Sequence, residues 1–369
     1  MNKLATLSLL LASTACLIVP PTAPPKLLIV SQERSRYEAL FALELQVCAE
    51  ATRLDTMLHE CAGDRLDALR GLSACRLAVA PLAEASVDDP AGLVAAVGAL
   101  DLEAATPWTV EHVPLWSTLT GGRRAHADWR FTGLSLGLAQ RIRGAPPALG
   151  GASNADPGAT RFVVLEGDET LRFGSVAHEA ARDDGAWNAR PYTFAGALDP
   201  AVARALVNVA ADCRDPPAAS LFDPCCGSGT TLRAAAARGL RAAGADRDAR
   251  AVAGASKNLE AYDADVFERD GSLPFPAHGA ECCVLNPPWG EKVRGDFGAN
   301  DRILANLAAA SAPGTPVALL DREPRSDAAF ARLGYDVLHA CEIFPGKANR
   351  GKASFAGAAR VSVLRVCDF

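Results

Sequence analysis

The C-terminal half of the chain alternates short apolar runs with longer segments in which apolar residues recur at helical spacing. Residues 200–211 have helical spacing, residues 220–222 form a short apolar run, and residues 230–238 form an alanine-rich stretch typical of a helix. The alternation continues to the C-terminus. Because strands that alternate with helices build parallel sheets, this half is predicted to be an α/β domain with a doubly wound, mostly parallel sheet.

The front half of the chain shows a more mixed pattern. Residues 27–30 and 161–165 are apolar strand-like runs, residues 129–131 are also strand-like, and residues 37–52 carry apolar residues at the spacing of an amphipathic helix. Residues 144–158 are rich in alanine, proline and glycine, which indicates a loop. The front half is therefore predicted to contain both strands and helices, in a domain separate from the C-terminal one.

The first 25 residues stand apart from both halves. A lysine precedes an apolar run over residues 4–19, and prolines dominate residues 20–25. The run is too short to span a membrane comfortably and is typical of a signal or targeting leader. Residues 13–16 faintly resemble a bacterial lipoprotein site, and an organelle presequence or a misassigned start codon would give the same pattern. The chain is thus divided into a leader (1–25), an N-terminal domain (26–189) and a C-terminal domain (190–369).

Composition and charge narrow the class of protein. The chain has 369 residues, of which 49% are hydrophobic and 22% charged, enough for the cores of two globular domains. Its formal net charge of −6 argues against a generally basic protein that coats nucleic acid, but is compatible with a local basic patch. The 11 cysteines include two adjacent pairs and no C-x-x-C, which indicates buried thiols in a reducing compartment. The six histidines lack metal-binding spacing, so no metal site is predicted.

The strongest local motif lies at residues 221–232, Leu-Phe-Asp-Pro-Cys-Cys-Gly-Ser-Gly-Thr-Thr-Leu. An apolar strand runs into a glycine turn and then a helix, so backbone N–H groups at the helix start are open to a ligand. The small residues at positions 227–229 allow that ligand to approach the main chain. A purely structural tight turn would explain the glycines equally well.

Acidic residues further along the chain favour a nucleoside ligand over a purely structural turn. Asp246 follows the second predicted strand, where a carboxylate can accept both hydroxyl hydrogens of a ribose. Asp270 precedes a turn and can accept a hydrogen bond from the exocyclic amine of an adenine. Either acid alone could belong to a solvated turn, but their order along the chain supports a shared site.

A second motif, Asn-Pro-Pro-Trp-Gly at residues 286–290, ends an apolar strand. The prolines stop the strand and fix the backbone. The side-chain oxygen of Asn286 and the carbonyl of Pro287 can then accept the two hydrogens of a planar amino group, and Trp289 offers a face for stacking a base. Holding both hydrogens directs the nitrogen lone pair toward an electrophile, which suits methylation of an exocyclic amine. The alternative is a structural β-turn with a buried tryptophan.

The order of these motifs resembles the amino-group branch of the class I S-adenosylmethionine-dependent methyltransferases. Residues 190–208 are similar to the segment that precedes the catalytic core in the THUMP-associated tRNA guanosine N2-methyltransferases, and residues 27–45 and 162–190 show a weaker likeness to their N-terminal half. The resemblance implies a Rossmann-like methyltransferase domain behind a divergent, THUMP-like α+β RNA-binding domain. It also implies S-adenosylmethionine as the cofactor, tRNA as the RNA partner and room for a small activating partner subunit.

The resemblance also implies roles for individual residues. The cofactor would be held by Asp223, Cys225, Gly227, Ser228, Gly229, Thr230, Asp246, Arg247, Asp270 and Gly271, with Gly196 and Leu198 beside its methionine end. The target base would be held by the catalytic residues Asn286, Pro287, Pro288 and Trp289. Basic residues near the second motif and the C-terminus are candidate phosphate contacts, with a solvated surface as the alternative: Lys292, Arg294, Lys347, Arg350 and Lys352.

The predicted reaction is methyl transfer to the exocyclic N2 of a guanosine in tRNA. The tRNA guanosine branch often has Asp where this chain has Asn286, and the front half is acidic for an RNA binder. An rRNA guanine-N2 or DNA adenine-N6 methyltransferase, or a non-catalytic RNA-binding protein that retains the fold, therefore remain as alternatives. An NAD-dependent oxidoreductase is disfavoured because residues 286–289 would have no role in hydride transfer. Since the cofactor and RNA are intracellular, we expect the protein in the cytoplasm or in an organelle, either plastid or mitochondrion.

Overall fold

A computed structural model gives the fold of this chain. It describes residues 24–31, 37–54, 57–115, 134, 136–147, 159–180, 189–193, 196–288, 298–322, 325–343 and 359–368. The chain forms two compact units. The first comprises Met1–Ser31, Arg53–Leu66 and Leu77–Glu179, and the second comprises Gln32–Thr52, Asp67–Arg76 and Ala180–Phe369. The leader and the strand-like residues 129–131 lie outside the described residues.

The elements before residue 180 are mostly strands. They are β1 Lys26–Ser31, α1 Glu38–Ala49, β2 Thr52–Arg53, β3 Leu58–Ala62, α2 Leu66–Leu69, β4 Cys75–Ser86, α3 Pro90–Gly98, β5 Glu103–Ala104, β6 Trp108–Pro114, β7 Arg143–Gly144, β8 Thr160–Glu166 and β9 Thr170–Glu179. Seven of the strands form one sheet in the order β2-β3-β1-β4-β9-β8-β6. The pairs β1–β3, β4–β9 and β8–β9 are antiparallel, and β6–β8 is parallel. Apolar side chains that alternate along these strands build the core of this unit, among them Leu28, Val30, Val79 and Val163.

The elements after residue 190 alternate between helix and strand over most of their length. They are α4 Pro200–Asp212, β10 Ser220–Asp223, α5 Thr230–Ala237, β11 Arg241–Asp246, α6 Ala249–Asn258, β12 Ala264–Glu268, β13 Cys282–Leu285, α7 Ala299–Ala310, β14 Pro316–Asp321, α8 Asp327–Arg332, β15 Tyr335–Ile343 and β16 Ala359–Val366. The sheet order is β12-β11-β10-β13-β14-β16-β15. The five strands β10–β14 are parallel, and β16 runs antiparallel to β14 and β15. This mostly parallel sheet and the α+β front region confirm the predicted fold class.

The order of these strands places a site at one edge of the sheet. Strands β11 and β12 lie on one side of β10, and the next strands, β13 and β14, lie on its other side. The strand order therefore switches direction at β10 and β13, which are neighbours in the sheet although β11 and β12 separate them in sequence. In an open α/β sheet a crevice forms at such a switch point, outside the carboxyl ends of the strands. The carboxyl ends of β10, β11 and β13 are where the predicted motifs begin.

The second compact unit is not simply the predicted domain 190–369. It also contains Gln32–Thr52, which includes α1, and Asp67–Arg76. Helix α1 contacts α4 and β15, where Leu43 shares a buried apolar cluster with Val209 and Val363. The apolar face of α1 is buried against this unit, and sequence patterning could not reveal this because it does not say which element an amphipathic helix will cover.

A further expectation concerns the cysteines. All ten described cysteines are free thiols, and six of them are buried, as the sequence predicted. Burial raises the pKa of the Cys48, Cys282 and Cys283 thiols, which keeps these groups protonated. Among the described residues, none of the helices has the length and apolar character needed to cross a membrane.

Candidate active site

The predicted site residues come together at the carboxyl edge of the parallel sheet. Asp223 ends β10, Asp246 ends β11, Asp270 follows β12, and Asn286 follows β13. All four line a single cavity of about 780 Å³ within the second unit. The cavity is also lined by Tyr37, Gly196, Leu198, Asp199, Val202, Cys225, Gly227, Ser228, Thr230, Arg247, Gly271, Pro287, Pro288, Ile303 and Leu320.

The glycine turn is bonded directly to the end of β11. The backbone N–H of Gly227 donates to Oδ2 of Asp246 at 2.9 Å, and the N–H of Cys226 donates to the carbonyl of Ala245, also at 2.9 Å. Gly227 has a φ of +53°, and a Cβ built on it would meet no atom within 4 Å. The turn therefore presents open main chain to the cavity, as a bound nucleoside cofactor requires.

Gly229 serves the turn in a different way. It has a φ of +80° and starts α5, and a Cβ at this position would lie 2.8 Å from Cδ1 of Leu259. Gly229 is not among the cavity-lining residues, in contrast to Gly227 and Ser228. The packing of α5 against the end of α6 leaves no room for a side chain at this position, so Gly229 has a packing role, and its predicted cofactor contact stays a prediction.

Asp223 is buried beneath the turn, with only 1% of its surface exposed. One carboxylate oxygen accepts from the N–H of Cys225 at 2.9 Å, and the other accepts from the hydroxyl of Thr231 at 2.5 Å. Burial nevertheless raises the pKa of Asp223 to about 7, with a smaller contribution from the nearby charge of Asp246. Burial thus brings the ionisation of this carboxyl group into the neutral pH range.

Asp270 lies in a more polar setting on the loop that follows β12. Its Oδ1 accepts from the N–H of Ser272 at 2.8 Å, and hydrogen bonding to Ser272 lowers the pKa of the Asp270 carboxyl. Asn306 donates to the carbonyl of the adjacent Gly271 at 3.1 Å, which fixes this loop against α7. Asp270 is therefore an ionised acceptor on a held loop.

Asn286 carries an unsatisfied acceptor. Its side-chain oxygen Oδ1 is buried, and within the described residues it accepts no hydrogen bond. Most buried polar atoms in folded proteins are hydrogen-bonded, so an acceptor without a partner on a cavity wall is available to a ligand. The backbone beyond it is held from α7, where Asn300 donates to the carbonyl of Pro288 at 3.4 Å. Asn286 thus presents a fixed acceptor to the cavity.

The start of α7 is itself anchored to the end of β14. Arg325 is 7% exposed and pairs with Asp321, the last residue of β14, and with Asp301 in the first turn of α7. These carboxylates hold the guanidinium fully charged and raise the pKa of Arg325 despite its burial. The first turns of α7, which contribute Ile303 to the cavity wall, are therefore tied to the end of β14.

Asn258 joins the glycine turn to the segment that precedes α4. Its Nδ2 donates to the carbonyl of Ser228 and to the carbonyl of Tyr192, both at 3.0 Å, and its Oδ1 accepts from the N–H of Tyr192 at 2.9 Å. The ring of Tyr192 lies against α6, where a Cβ on Gly254 would be 2.3 Å from it. Asp199 then caps α4 by accepting from the N–H of Ala201 at 2.9 Å. These contacts bring Gly196 and Leu198 into the cavity wall.

Six of the predicted site residues are not described by the structure. Trp289, Lys292, Arg294, Lys347, Arg350 and Lys352 lie outside the described residues. Two further basic residues of the C-terminal cluster lie on β16. Arg365 pairs with Asp336 at 3.3 Å, and Arg360 donates to the carbonyl of Arg325 at 3.3 Å. Both bonds are structural, and neither residue lines the cavity.

Three residues of the site carry no recognisable role in the sequence. Thr231 was within the first motif, but only its hydrogen bond to Asp223 shows its part. Asn258 closes a helix, where an Asn is an ordinary residue, so no local signal marked it. Tyr37 comes from the front of the chain, far from the other residues in sequence. A pattern read along the chain cannot show that such distant segments meet.

Part of the chain is similar to known methyltransferases. Residues 188–302 match the family model described as RMKL-like, methyltransferase domain. The chain is also 33% identical over 108 residues to the tRNA (guanine(10)-N2)-dimethyltransferase of Methanothermobacter thermautotrophicus. That similarity covers 27% of this chain and 30% of the relative's length, so it concerns only part of either protein.

The overall architecture is also found in a solved structure. The crystal structure of TrmN from Thermus thermophilus has a TM-score of 0.51 to this chain, with 20% sequence identity. The superposition covers 92% of this chain and 99% of the TrmN chain. At this identity the similarity concerns the fold, and it extends to the α+β front region as well as the parallel sheet.

Proposed function

We propose that this chain, whose residues 188–302 form an S-adenosylmethionine-dependent methyltransferase domain, methylates the exocyclic N2 amino group of a guanosine in tRNA. The observation that carries the proposal is the buried Oδ1 of Asn286, which accepts no hydrogen bond within the described residues and lies on the same cavity as the glycine turn. An N–H of a planar amine would satisfy this acceptor.

The residues on the cavity wall fit the cofactor. The open main chain at Gly227 would receive its polar part, Asp246 would accept from the ribose hydroxyls, and Asp270 would accept from the adenine amine. The buried carboxyl of Asp223 would face the positively charged methionine part. When bound, S-adenosylmethionine supplies an electrophilic methyl group, which passes to the amine nitrogen while the sulfur keeps the bonding electron pair.

The chain's own contribution to the reaction is positioning. Asn286 Oδ1 and the Pro287 carbonyl would accept the two amine hydrogens, which turns the nitrogen lone pair away from the ring and toward the cofactor. An asparagine cannot take up the proton that the methylated amine loses, so that proton passes to water. The prolines fix the backbone on either side of this acceptor pair, which limits the motion of the amine.

One observation supports tRNA over other nucleic acids. The partial relative from M. thermautotrophicus carries a tRNA guanine-N2 activity in its name. The front region precedes the catalytic domain and forms most of a separate compact unit. We propose that this front region binds the RNA, and that a guanosine inside a folded tRNA is flipped out to reach the cavity. A small activating subunit is a further proposed partner.

The test incubates the purified full chain with methyl-labelled S-adenosylmethionine and separate pools of tRNA, rRNA and DNA. We expect label in tRNA, and mass spectrometry of nuclease digests should identify N2-methylguanosine. Label in rRNA or as N6-methyladenine in DNA would contradict the substrate assignment. Absence of label in all three pools, with and without an added activating subunit, would favour the non-catalytic alternative.

A further inference from the structure

Tyr37, a residue from the front of the chain, lines the cofactor cavity. It immediately precedes α1, is 5% exposed, and lines the cavity together with Asp199 and Val202 at the start of α4. Its ring meets Phe41 edge to face, with 6.1 Å between centroids. The matched family model begins at residue 188, so Tyr37 lies outside the segment by which the catalytic domain is identified.

Helix α1 is held in place by a buried carboxylate. Glu44 is fully buried, and its two oxygens accept from the N–H groups of Ser73 and Ala74 at 3.0 and 2.8 Å and from Nδ2 of Asn208 at 2.6 Å. Asn208 in turn accepts from Arg238, the residue that follows α5, at 2.6 Å. The bonds connect α1 to α4 and to the helix that begins at the glycine turn. They therefore fix the position of Tyr37 relative to the cavity.

The direction of α1 shows which end of the cavity Tyr37 occupies. Glu44 bonds to Asn208 in the C-terminal half of α4, whereas Tyr37 shares the cavity wall with the start of α4, so the two helices run in the same direction. Helix α4 packs on β13 and β14, while Asp246 and Asp270 follow β11 and β12 on the other side of β10. Tyr37 thus lies at the end of the cavity away from Asp270, the proposed adenine contact.

We propose that Tyr37 is a binding residue for the methionine part of S-adenosylmethionine, placed there by the anchored helix α1. The cofactor carries a sulfonium and an ammonium group in this part, and an aromatic ring with a phenolic oxygen is a suitable neighbour for such cations. The inference rests on the methyltransferase cofactor of the proposed function, and not on the identity of the RNA.

Isothermal titration calorimetry on the full chain tests this assignment with two ligands. S-adenosylmethionine has the methionine part, and adenosine lacks it. We expect Tyr37→Ala to raise the Kd for S-adenosylmethionine by about tenfold and to leave the Kd for adenosine within about twofold of the wild type. Tyr37→Phe keeps the ring and should lose less affinity than Tyr37→Ala. Tyr262→Ala is the matched control, because Tyr262 does not line the cavity, and it should bind both ligands like the wild type.

Each contrary result has a defined meaning. An unchanged Kd for S-adenosylmethionine in Tyr37→Ala overturns the inference, and so does a parallel loss of adenosine binding, which indicates a general collapse of the cavity. If Tyr37→Ala does not unfold cooperatively, Tyr37→Leu retains the apolar volume and takes its place with the same expectations. If the wild type binds S-adenosylmethionine but methylates no RNA, the proposed function fails while this inference can still be decided by the two Kd values.

Discussion

The backbone N–H of Gly227 donates to Oδ2 of Asp246, so the glycine turn and the end of the neighbouring strand are one bonded unit. Oδ1 of Asp246 also accepts from the N–H of Asp248 at 3.0 Å, which fixes the carboxylate plane. The carboxylate of Asp246 therefore holds the turn that would receive the cofactor. Each of its oxygens can accept a further hydrogen bond, which we expect to come from a ribose hydroxyl.

We expect Asp246→Ala to weaken S-adenosylmethionine binding by about 100-fold, because the ribose acceptor and the bond to Gly227 are lost together. Isothermal titration calorimetry measures this directly. Asp263→Ala, which removes an exposed carboxylate that does not line the cavity, is the control and should bind normally. Wild-type affinity in Asp246→Ala would show that the cofactor does not depend on this residue.

We expect Asn286→Ala to impair methyl transfer and to leave cofactor binding nearly unchanged. Loss of the acceptor Oδ1 is expected to lower kcat by about 10²- to 10³-fold, because the amine is no longer oriented, while the Kd for the cofactor stays within about threefold. Single-turnover methylation of tRNA and calorimetry measure the two quantities. Asn286→Asp keeps an acceptor and should retain more activity than the alanine variant. Full activity of Asn286→Ala would refute the role of this side chain.

The packing of Tyr192 on α6 predicts a stability effect at Gly254. A methyl group there would lie 2.3 Å from the Tyr192 ring, so Gly254→Ala must displace the ring or the helix. We expect the free energy of unfolding to fall by about 1–3 kcal/mol, measured by urea denaturation. Gly71→Ala is the matched control, since a Cβ there meets no atom within 4 Å, and it should change stability by less than about 0.5 kcal/mol. Equal stabilities of the two variants would contradict the close packing of Tyr192.

The raised pKa of Asp223 leads us to expect that cofactor binding depends on pH. Burial raises the pKa of this carboxyl to about 7, so it is largely protonated at pH 6 and ionised at pH 8. A cationic ligand binds the ionised form better, and its binding therefore releases a proton. The Kd for S-adenosylmethionine should fall as the pH rises from 6 to 8 and then level off.

The matched variant for this pH dependence is Asp223→Asn, which keeps an acceptor but cannot ionise. Calorimetric titrations at pH 6, 7 and 8 should give a Kd that varies with pH much less in the variant than in the wild type. The same slope in both proteins would assign the pH dependence to another group.

The sequence by itself determined the parallel sheet and the residues that follow its strands. Asp223, Asp246 and Asn286 each stand at the end of an apolar run, and the carboxyl ends of parallel strands meet at one edge, so their convergence could be inferred. Such residues are recognisable because strand, turn and helix signals are local. The same local signals placed Pro200–Asp212 and Thr230–Ala237 within one residue of their observed ends.

Only the tertiary structure decided which distant segments complete the cavity. Tyr37 reaches it because α1 buries an apolar face and the Glu44 carboxylate against α4, and Asn258 reaches the turn from the far end of α6. Neither position carries a motif. An amphipathic helix buries its apolar face on whichever surface fits it, and a buried polar side chain bonds to whichever groups the fold brings near. Those partners are set by packing in three dimensions, which the order of residues along the chain does not display.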